Sequence, residues 1–568
     1  MLTIQKKLLL TIVMLLAQTI LLWGQDISVE QNWKQIPVLK FKSFTPIVQF
    51  KVHANQEYDI KKVLVEFDGT SNIRDIDSVF LLNMGQDSTW QTNKGKLVEQ
   101  HTPTNEQVVF TFSTPQPTAN NYFIIAVKLR DDAPLDHFIS AGIRQVTFSE
   151  AKSLSLSIDP KRLKQRIGVA LRKGGDDSVV RYRIPGLART NNNTLLAIYD
   201  IRRNSHRDLQ GDIDIGVSRS TNGGNTWEPM RVGLDMGEYG GLPQKYNGVS
   251  DACILVDKNS NSIFLAGCWM HGVNDEKTGS TVTGLTENST VWNHQWRNNG
   301  SLQGFDIAKT SQFIIAKSTD DGKTWGEAIN ITKQIKNHEW YLFAPAPGSG
   351  ITLNNGTLVF PTQGKDKGQI PFSNITYSND GGQTWQASKP SYVNTTENMI
   401  VQLSDGSIMQ NMRDNRNAKN KSDSNGRAIF ITKDMGDLWV KHPTHHKALI
   451  EPVCMGSLYK HTYVDVNGKE KSILLFSNPN SKYQRELLTI KISFDEGNTW
   501  PEKHWLLLDE LGLKGGYSSL TSINNNTIGI LYEGSQAQMT FERIRLDDLG
   551  VTDAQAPHSS SLKKYNYE

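Results

Sequence analysis

Five copies of one eight-residue pattern, Ser/Thr-x-Asp/Asn-x-Gly-x-Thr-Trp, run through the C-terminal two-thirds of this chain. They are Ser220–Trp227, Ser318–Trp325, Ser378–Trp385, Thr432–Trp439 and Ser493–Trp500. Asp or Asn beside Gly makes a tight turn, because the side-chain oxygen accepts backbone N–H bonds and Gly tolerates positive φ. The Trp that follows is a large apolar anchor for the turn. Successive copies start 98, 60, 54 and 61 residues apart, and a turn plus an anchor repeated at such a period marks a repeat architecture. A four-stranded propeller blade takes about 40–50 residues. The wider spacing of the boxes leaves each blade modest loops, and at that period the ~380 residues of 166–546 predict six blades, with loops that one end of the ring gathers together. The long first interval must hold an insertion or a blade without a box. Gly279–Gly300, polar and rich in Thr, Asn and Trp, reads as an inserted loop.

A chain of 568 residues is too long for one core, and two domains are expected. Residues 26–160 carry no box. Their apolar–polar alternation, as in Val63–Phe67, Val108–Phe112 and Tyr122–Val127, predicts an N-terminal β-sandwich, with Trp90 and other aromatics available for stacking on sugar. Lys152–Gln165, rich in Ser, Lys and Arg, reads as a linker, and residues 547–568 as a polar tail. At the start, Lys6 and Lys7 precede an apolar run from Leu8 to Leu22. Residues 1–24 thus read as a secretory signal peptide, and the protein is expected to be exported, to periplasm, cell surface or medium, with no membrane span in the mature chain. Only Cys253, Cys268 and Cys454 occur, so one disulfide at most is expected. A net charge of +3 argues against nucleic acid as a partner. No metal-ligand cluster, phosphate loop or Ser/His/Asp arrangement stands out, so neither metal nor cofactor is expected. His445 and His446 read as surface or packing residues.

Arg181-Tyr182-Arg183-Ile184-Pro185-Gly186-Leu187 resembles the Phe/Tyr-Arg-Ile-Pro motif of the exo-α-sialidases, the neuraminidases with Asp-box (BNR) repeats. Together with the five boxes the resemblance spans about Arg166 to Leu546. It implies a bacterial exo-α-sialidase acting on sialylated glycans with retention of configuration. In that family three arginines clamp the substrate carboxylate, and Arg183, Arg413 and Arg485 match their positions. A guanidinium suits this task, because it stays charged and presents a planar fork that Lys lacks. Glu533 resembles the carboxylate that orients the first arginine.

Tyr517, in Gly515-Gly516-Tyr517, matches the family's nucleophile, and Glu397 its partner base. A phenol, with a pKa near 10, is a poor nucleophile at neutral pH unless a carboxylate takes its proton. A carboxylate nucleophile would be repelled by the acid group on the anomeric carbon of sialic acid, and sialidases depart from the two-carboxylate scheme for glycosidases. Asp208 matches the acid/base aspartate, Arg202 a sugar contact and Asp251 a substrate contact; Asp212 and Asp214 are rivals to Asp208, with a structural role favoured for both. Ser250 stands before Asp251 where family members often carry an apolar residue. Two other readings share these motifs: a sialic-acid-binding propeller without turnover, and a trans-sialidase. The Val291–Gly300 loop keeps the second open.

Overall fold

The computed structural model describes residues 27–555, apart from 56–57, 113–116, 119, 150–151, 158–162, 207, 209–210, 242–243, 273–300 and 513–514. The leader expected at 1–24, the inserted loop expected at 279–300 and the end of the expected tail lie outside the described residues. Among the described residues the chain is built of strands and short turns, with one four-residue α-helix, Thr332–Ile335. No helix there is long and apolar enough to cross a membrane. The chain divides into two units, residues 1–170 and 171–568.

The first unit holds two antiparallel sheets. One orders Ile27–Asn32, Thr45–Ala54, Tyr122–Leu129, Ile76–Gly85 and Lys96–His101. The other orders Ser153–Ser155, Gly142–Phe148, Tyr58–Glu66 and Gln107–Thr111. Buried Gln31 ties them, its Oε1 accepting the Ile143 N–H at 2.8 Å. Two sequence expectations are corrected here. Trp90 is only 8% exposed, so its ring is packed inside and is not a stacking platform for sugar. The expected linker contains the edge strand Ser153–Ser155, which buries Leu154 and exposes both serines. The serines that made this segment look unstructured are its solvent face.

The second unit repeats one antiparallel module six times. The first module is Arg181–Arg189, Leu195–Arg202, Ile213–Ser220 and Arg231–Leu234. The second is Asn247–Val256, Ile263–His271, Gln312–Ser318 and Ile329–Asn330. The third is built on Leu342–Pro345, Leu358–Lys365 and Pro371–Ser378, and the fourth on Thr395–Gln402, Ile408–Asp414 and Ala428–Thr432. The fifth runs Ser457–Val464, Glu470–Pro479, Leu488–Ser493 and Leu506–Asp509. The sixth is Ser518–Asn524, Thr527–Tyr532 and Met539–Arg545.

Neighbouring modules touch, through their first strands or the strands beside them. Ile213 bridges to Gly248, and Cys253 to Gly348. The Asn398 amide donates to the Thr362 carbonyl, Leu520 N–H to Ser457 Oγ, and Leu187 N–H to Ser519 Oγ. A cavity of about 640 Å³ opens among the far ends of these first strands, lined by Arg189, Val256, Ser349, Val401, Thr462 and Thr521 among others, and it contains none of the expected site residues.

Each box joins the third strand of its module to the segment that follows. The opening hydroxyl accepts the glycine N–H at 2.8–3.0 Å in all five. The Asp or Asn accepts the N–H four residues on, again in all five. The fourth copy carries Leu438 in place of Thr, and this backbone bond survives the change. The first two modules each carry a box, so the long interval holds an insertion, while the sixth module has none. The start of the polar tail also packs inward: Leu549 and Val551, with Leu546 just before it, join the core of the fifth and sixth modules. All three cysteines are free and buried, so the disulfide left open by the sequence is not formed.

Lys491 lies fully buried on the strand Leu488–Ser493, its Nζ donating to Asn478 Oδ1 at 3.0 Å and lying 4.9 Å from the Trp505 ring. Burial, then the charge of Arg427, lowers its amine from 10.5 to about 7. The unfolded chain takes up this proton at higher pH than the folded one, so stability declines as pH falls from about 10.5 towards about 7 and is flat below. Lys491→Met should remove that slope. Its Tm relative to wild type should rise as pH is lowered from 10 to about 7, then level off. The orphaned Asn478 oxygen offsets the variant equally at every pH, so a pH-independent difference would contradict this.

Candidate active site

Three first strands are broken by a bulge, and each bulge carries a residue singled out in the sequence. Pairing shifts between Arg183 and Gly186, between Ser250 and Cys253, and between Thr395 and Asn398. An extra residue breaks the in–out alternation and re-aims a side chain. Arg183, Asp251 and Glu397 sit at these points. Ile184 takes φ 62° and Asp251 φ 54°. For a β-branched residue such as Ile184 this conformation is strained, and the surroundings must hold it.

Glu533 does much of that holding. Its Oε1 accepts from Arg183 Nε at 2.6 Å and from the Ile184 N–H at 3.0 Å; its Oε2 accepts from the Tyr517 N–H at 3.0 Å. One buried carboxylate thus fixes the Arg-Ile-Pro bulge and the tyrosine together. Desolvation works to raise its carboxyl, but Arg183 and these N–H donors prevail and hold it below the usual range. The arrangement also explains Gly515, since a Cβ there would lie 1.8 Å from Glu533 Oε2.

Around Tyr517 the three arginines converge. The guanidiniums of Arg183 and Arg485 lie 5.2 and 5.5 Å from its ring centre. Arg413 donates to the phenol oxygen at 3.0 Å and to Glu397 Oε2 at 2.5 Å. The phenol itself donates to Glu397 Oε1. Burial, then the Glu397 charge, pushes the phenol well above its ordinary pKa, against Arg413 and Arg485. It therefore keeps its proton at rest, with an acceptor in contact to receive it. Arg485 is held by the carbonyls of Gly515 at 2.8 Å and Val453 at 3.1 Å.

Arg202 and Asp208 form a second group. Arg202, 1% exposed, donates to Asp200 Oδ2 at 2.9 Å and to Asp208 Oδ1 at 2.5 Å. Asp208 lies at the solvent side, its side chain 64% exposed. Desolvation raises its carboxyl, but Arg202, Arg183 and Arg413 outweigh this and hold it below the usual range. Asp251, by contrast, is pushed far up by burial and then by the charges of Asp208, Glu397 and Asp200. Both effects favour its neutral, hydrogen-bond-donating form. These mutual influences bring all nine expected residues into one electrostatic neighbourhood. Among the described residues no cluster of His, Cys, Asp and Glu is arranged to hold a metal.

Asp212 and Asp214 stand apart, paired with Arg203 at 3.7 and 2.5 Å. His446 Nε2 contacts Asp414 Oδ2 at 2.6 Å, and the His445 ring packs against Tyr392 and Phe430. Sequence reasoning missed Asp200, which is fully buried, orients Arg202 and accepts from Ser250 Oγ at 2.6 Å. Ser250 therefore faces this carboxylate. The signal was available: an Asp two residues before an Arg on a strand puts both side chains on one face.

Residues 184–514 match the family model of a BNR repeat-like domain, and residues 25–152 that of the N-terminal domain of BNR-repeat neuraminidase. A sialidase of Bacteroides fragilis is 38% identical over 543 residues, covering 91% of this chain and 94% of the relative. A sialidase of Paraclostridium sordellii is 29% identical over 377 residues, covering 62% of this chain and 81% of the relative. The solved structure of a Hadza microbial sialidase superposes with a TM-score of 0.80 at 35% identity, over 91% of this chain and 99% of that one.

Proposed function

The chain belongs to the BNR-repeat sialidase family, and from that premise we propose that it is an exo-α-sialidase releasing terminal α-linked sialic acids from glycans with retention. The observation that carries the mechanism is the phenol of Tyr517, in contact with both Glu397 and Arg413 at the point where the arginines meet. Arg183, Arg413 and Arg485 receive the substrate carboxylate, which places the anomeric carbon over the phenol oxygen. Glu397 takes the phenol proton as that oxygen attacks, and a tyrosyl–sialosyl bond forms as the glycosidic bond breaks. Asp208 gives its proton to the departing sugar oxygen, then takes one from the water that releases the product.

Asp208 must be protonated for the first step, yet Arg202, Arg183 and Arg413 hold its carboxyl low in the free protein. A bound substrate carboxylate cancels part of the positive charge of Arg183 and Arg413. Its arrival therefore raises the Asp208 carboxyl towards the acid form, which ties acid catalysis to occupancy of the clamp.

The six touching modules are read as the blades of a propeller, the two sheets of the first unit as a β-sandwich, and the protein as exported through its N-terminal leader. The test is incubation of the purified protein with α2,3- and α2,6-sialyllactose. Free sialic acid should appear; transfer to another sugar with little free acid would make it a trans-sialidase, and binding without turnover a lectin-like propeller. Asp208→Ala should slow sialyllactose cleavage by about 10²–10⁴-fold. An aryl sialoside, whose leaving group needs no proton, should lose far less. Equal losses on both, with release of the tyrosyl intermediate shown not to limit either, would remove Asp208 as the acid.

A further inference from the structure

Arg427 and Glu451 form a fully buried ion pair behind the site, with Arg427 NH1 2.5 Å from Glu451 Oε2 and both side chains 0% exposed. Neither hydrogen-bonds any of the nine expected site residues, and neither was singled out in the sequence. Their partners are what give the pair meaning. Glu451 Oε1 accepts the N–H of Asp414, the residue after Arg413, at 2.8 Å, and the amide of Asn417 at 2.8 Å. The same Arg427 NH1 donates to the Cys454 carbonyl at 2.7 Å, while its Nε donates to Asn411 Oδ1 at 2.7 Å. One residue before Cys454, the Val453 carbonyl accepts from Arg485. The segment Glu451–Cys454 is thus pinned at one end to the strand of Arg413 and at the other to the guanidinium of Arg485.

This segment would not hold its shape unaided. Val453 takes φ 58°, a left-handed conformation in which a β-branched residue is a true outlier. The carbonyl faces Arg485 in that conformation. Asn425 supports the bend, donating its amide to the Glu451 carbonyl at 3.0 Å and accepting the Glu451 N–H at 2.9 Å. A buried ion pair is weak evidence for net stability, because desolvating both charges offsets much of their attraction. Its value lies in fixing one arrangement. We propose that Arg427 and Glu451 are positioning residues: a clip that holds the strained Glu451–Cys454 segment and thereby sets Arg413 and Arg485 at the spacing that reads the substrate carboxylate.

This inference rests on the reading of the three arginines as a carboxylate clamp, and the experiment separates the two. Sialyllactose turnover, inhibition by free sialic acid, and Tm are measured for wild type, Glu451→Gln and a control, Ile473→Val, in the core of the fifth module. Wild type that neither cleaves sialyllactose nor binds sialic acid overturns the clamp and the clip together. With wild type active, Glu451→Gln keeps an oxygen for the Asp414 N–H but loses the charge that holds Arg427. Its KM and its inhibition constant for free sialic acid should both rise by at least about tenfold at a temperature where the variant is fully folded. The control should lose Tm without either change.

If Glu451→Gln does not fold, Arg427→Lys replaces it. That variant keeps the charge, loses the fork that joins Asn411, through Nε, to Glu451 and the Cys454 carbonyl, through NH1, and should weaken sialic acid binding in the same direction. Variants that lose Tm but keep wild-type KM and inhibition constant would overturn the clip and leave the clamp standing.

Discussion

Tyr517→Phe is expected to lower turnover of sialyllactose by at least about a thousandfold, roughly 4 kcal/mol of transition-state stabilisation, while thermal unfolding changes little. The small structural effect follows from what Phe retains. The ring stays in its core cluster and under the guanidiniums of Arg183 and Arg485, at 5.2 and 5.5 Å. The Glu397 charge, which the phenol contacts, keeps its partner in Arg413 at 2.5 Å, so removing the oxygen strands no charge. With the clamp intact, inhibition by free sialic acid should stay within severalfold of wild type. The loss therefore falls on kcat, as expected when an interaction made only in the transition state is removed. Residual turnover would have to pass through direct attack by water or Glu397 and could differ in stereochemistry.

A fluorinated sialosyl fluoride, which slows breakdown of the covalent intermediate, should label wild-type protein on Tyr517 and leave the Phe variant unlabelled. Label on Glu397 would mean that nucleophile and base are exchanged. Near-normal turnover by Tyr517→Phe would remove the phenol from the mechanism.

The repeat was legible in the sequence because the box is local. Each turn is closed by its own hydroxyl and its own Asp or Asn, so eight residues carry all the information it needs. The site was legible only through resemblance. Nothing in Gly-Gly-Tyr by itself suggests a nucleophile; the contact that supports the proposed role spans 120 positions, from Glu397 to Tyr517. The bulges were not legible, since a single inserted residue leaves the apolar pattern on either side intact, and Ile184 at φ 62° is a choice no propensity favours. Trp90 and the start of the tail were misread for a related reason. Composition reports what a residue could do in water, while its burial is decided by strands distant in sequence, as with Val551 in the core of the fifth and sixth modules. The clip of Arg427 and Glu451 is the extreme case: two charged residues 24 positions apart, both fully buried.

Of the three arginines, Arg413 is expected to be the least tolerant of Lys. Arg183 answers to Glu533, and Arg485 rests on two backbone carbonyls. Arg413 alone bonds the reacting pair itself, giving one nitrogen to both Glu397 and the Tyr517 oxygen, while its Nε is buried with no partner among the described residues. Its other amino group is thus the part left to meet a substrate carboxylate. A lysine there has one point of charge, and Glu397 would draw it in. Arg413→Lys should then lower kcat/KM by at least about a hundredfold, roughly 2.7 kcal/mol, through both parameters: KM because the clamp loses a donor, and kcat because the phenol loses the cation that steadies its developing charge. Arg485→Lys, whose guanidinium makes no bond to Glu397 or the phenol oxygen, should act mainly on KM. Steady-state kinetics on an aryl sialoside for the two variants side by side decides the point. If Arg413→Lys raised KM alone, as Arg485→Lys is expected to, Arg413 would be a carboxylate contact and nothing more, and the deprotonation of Tyr517 would rest on Glu397 unaided.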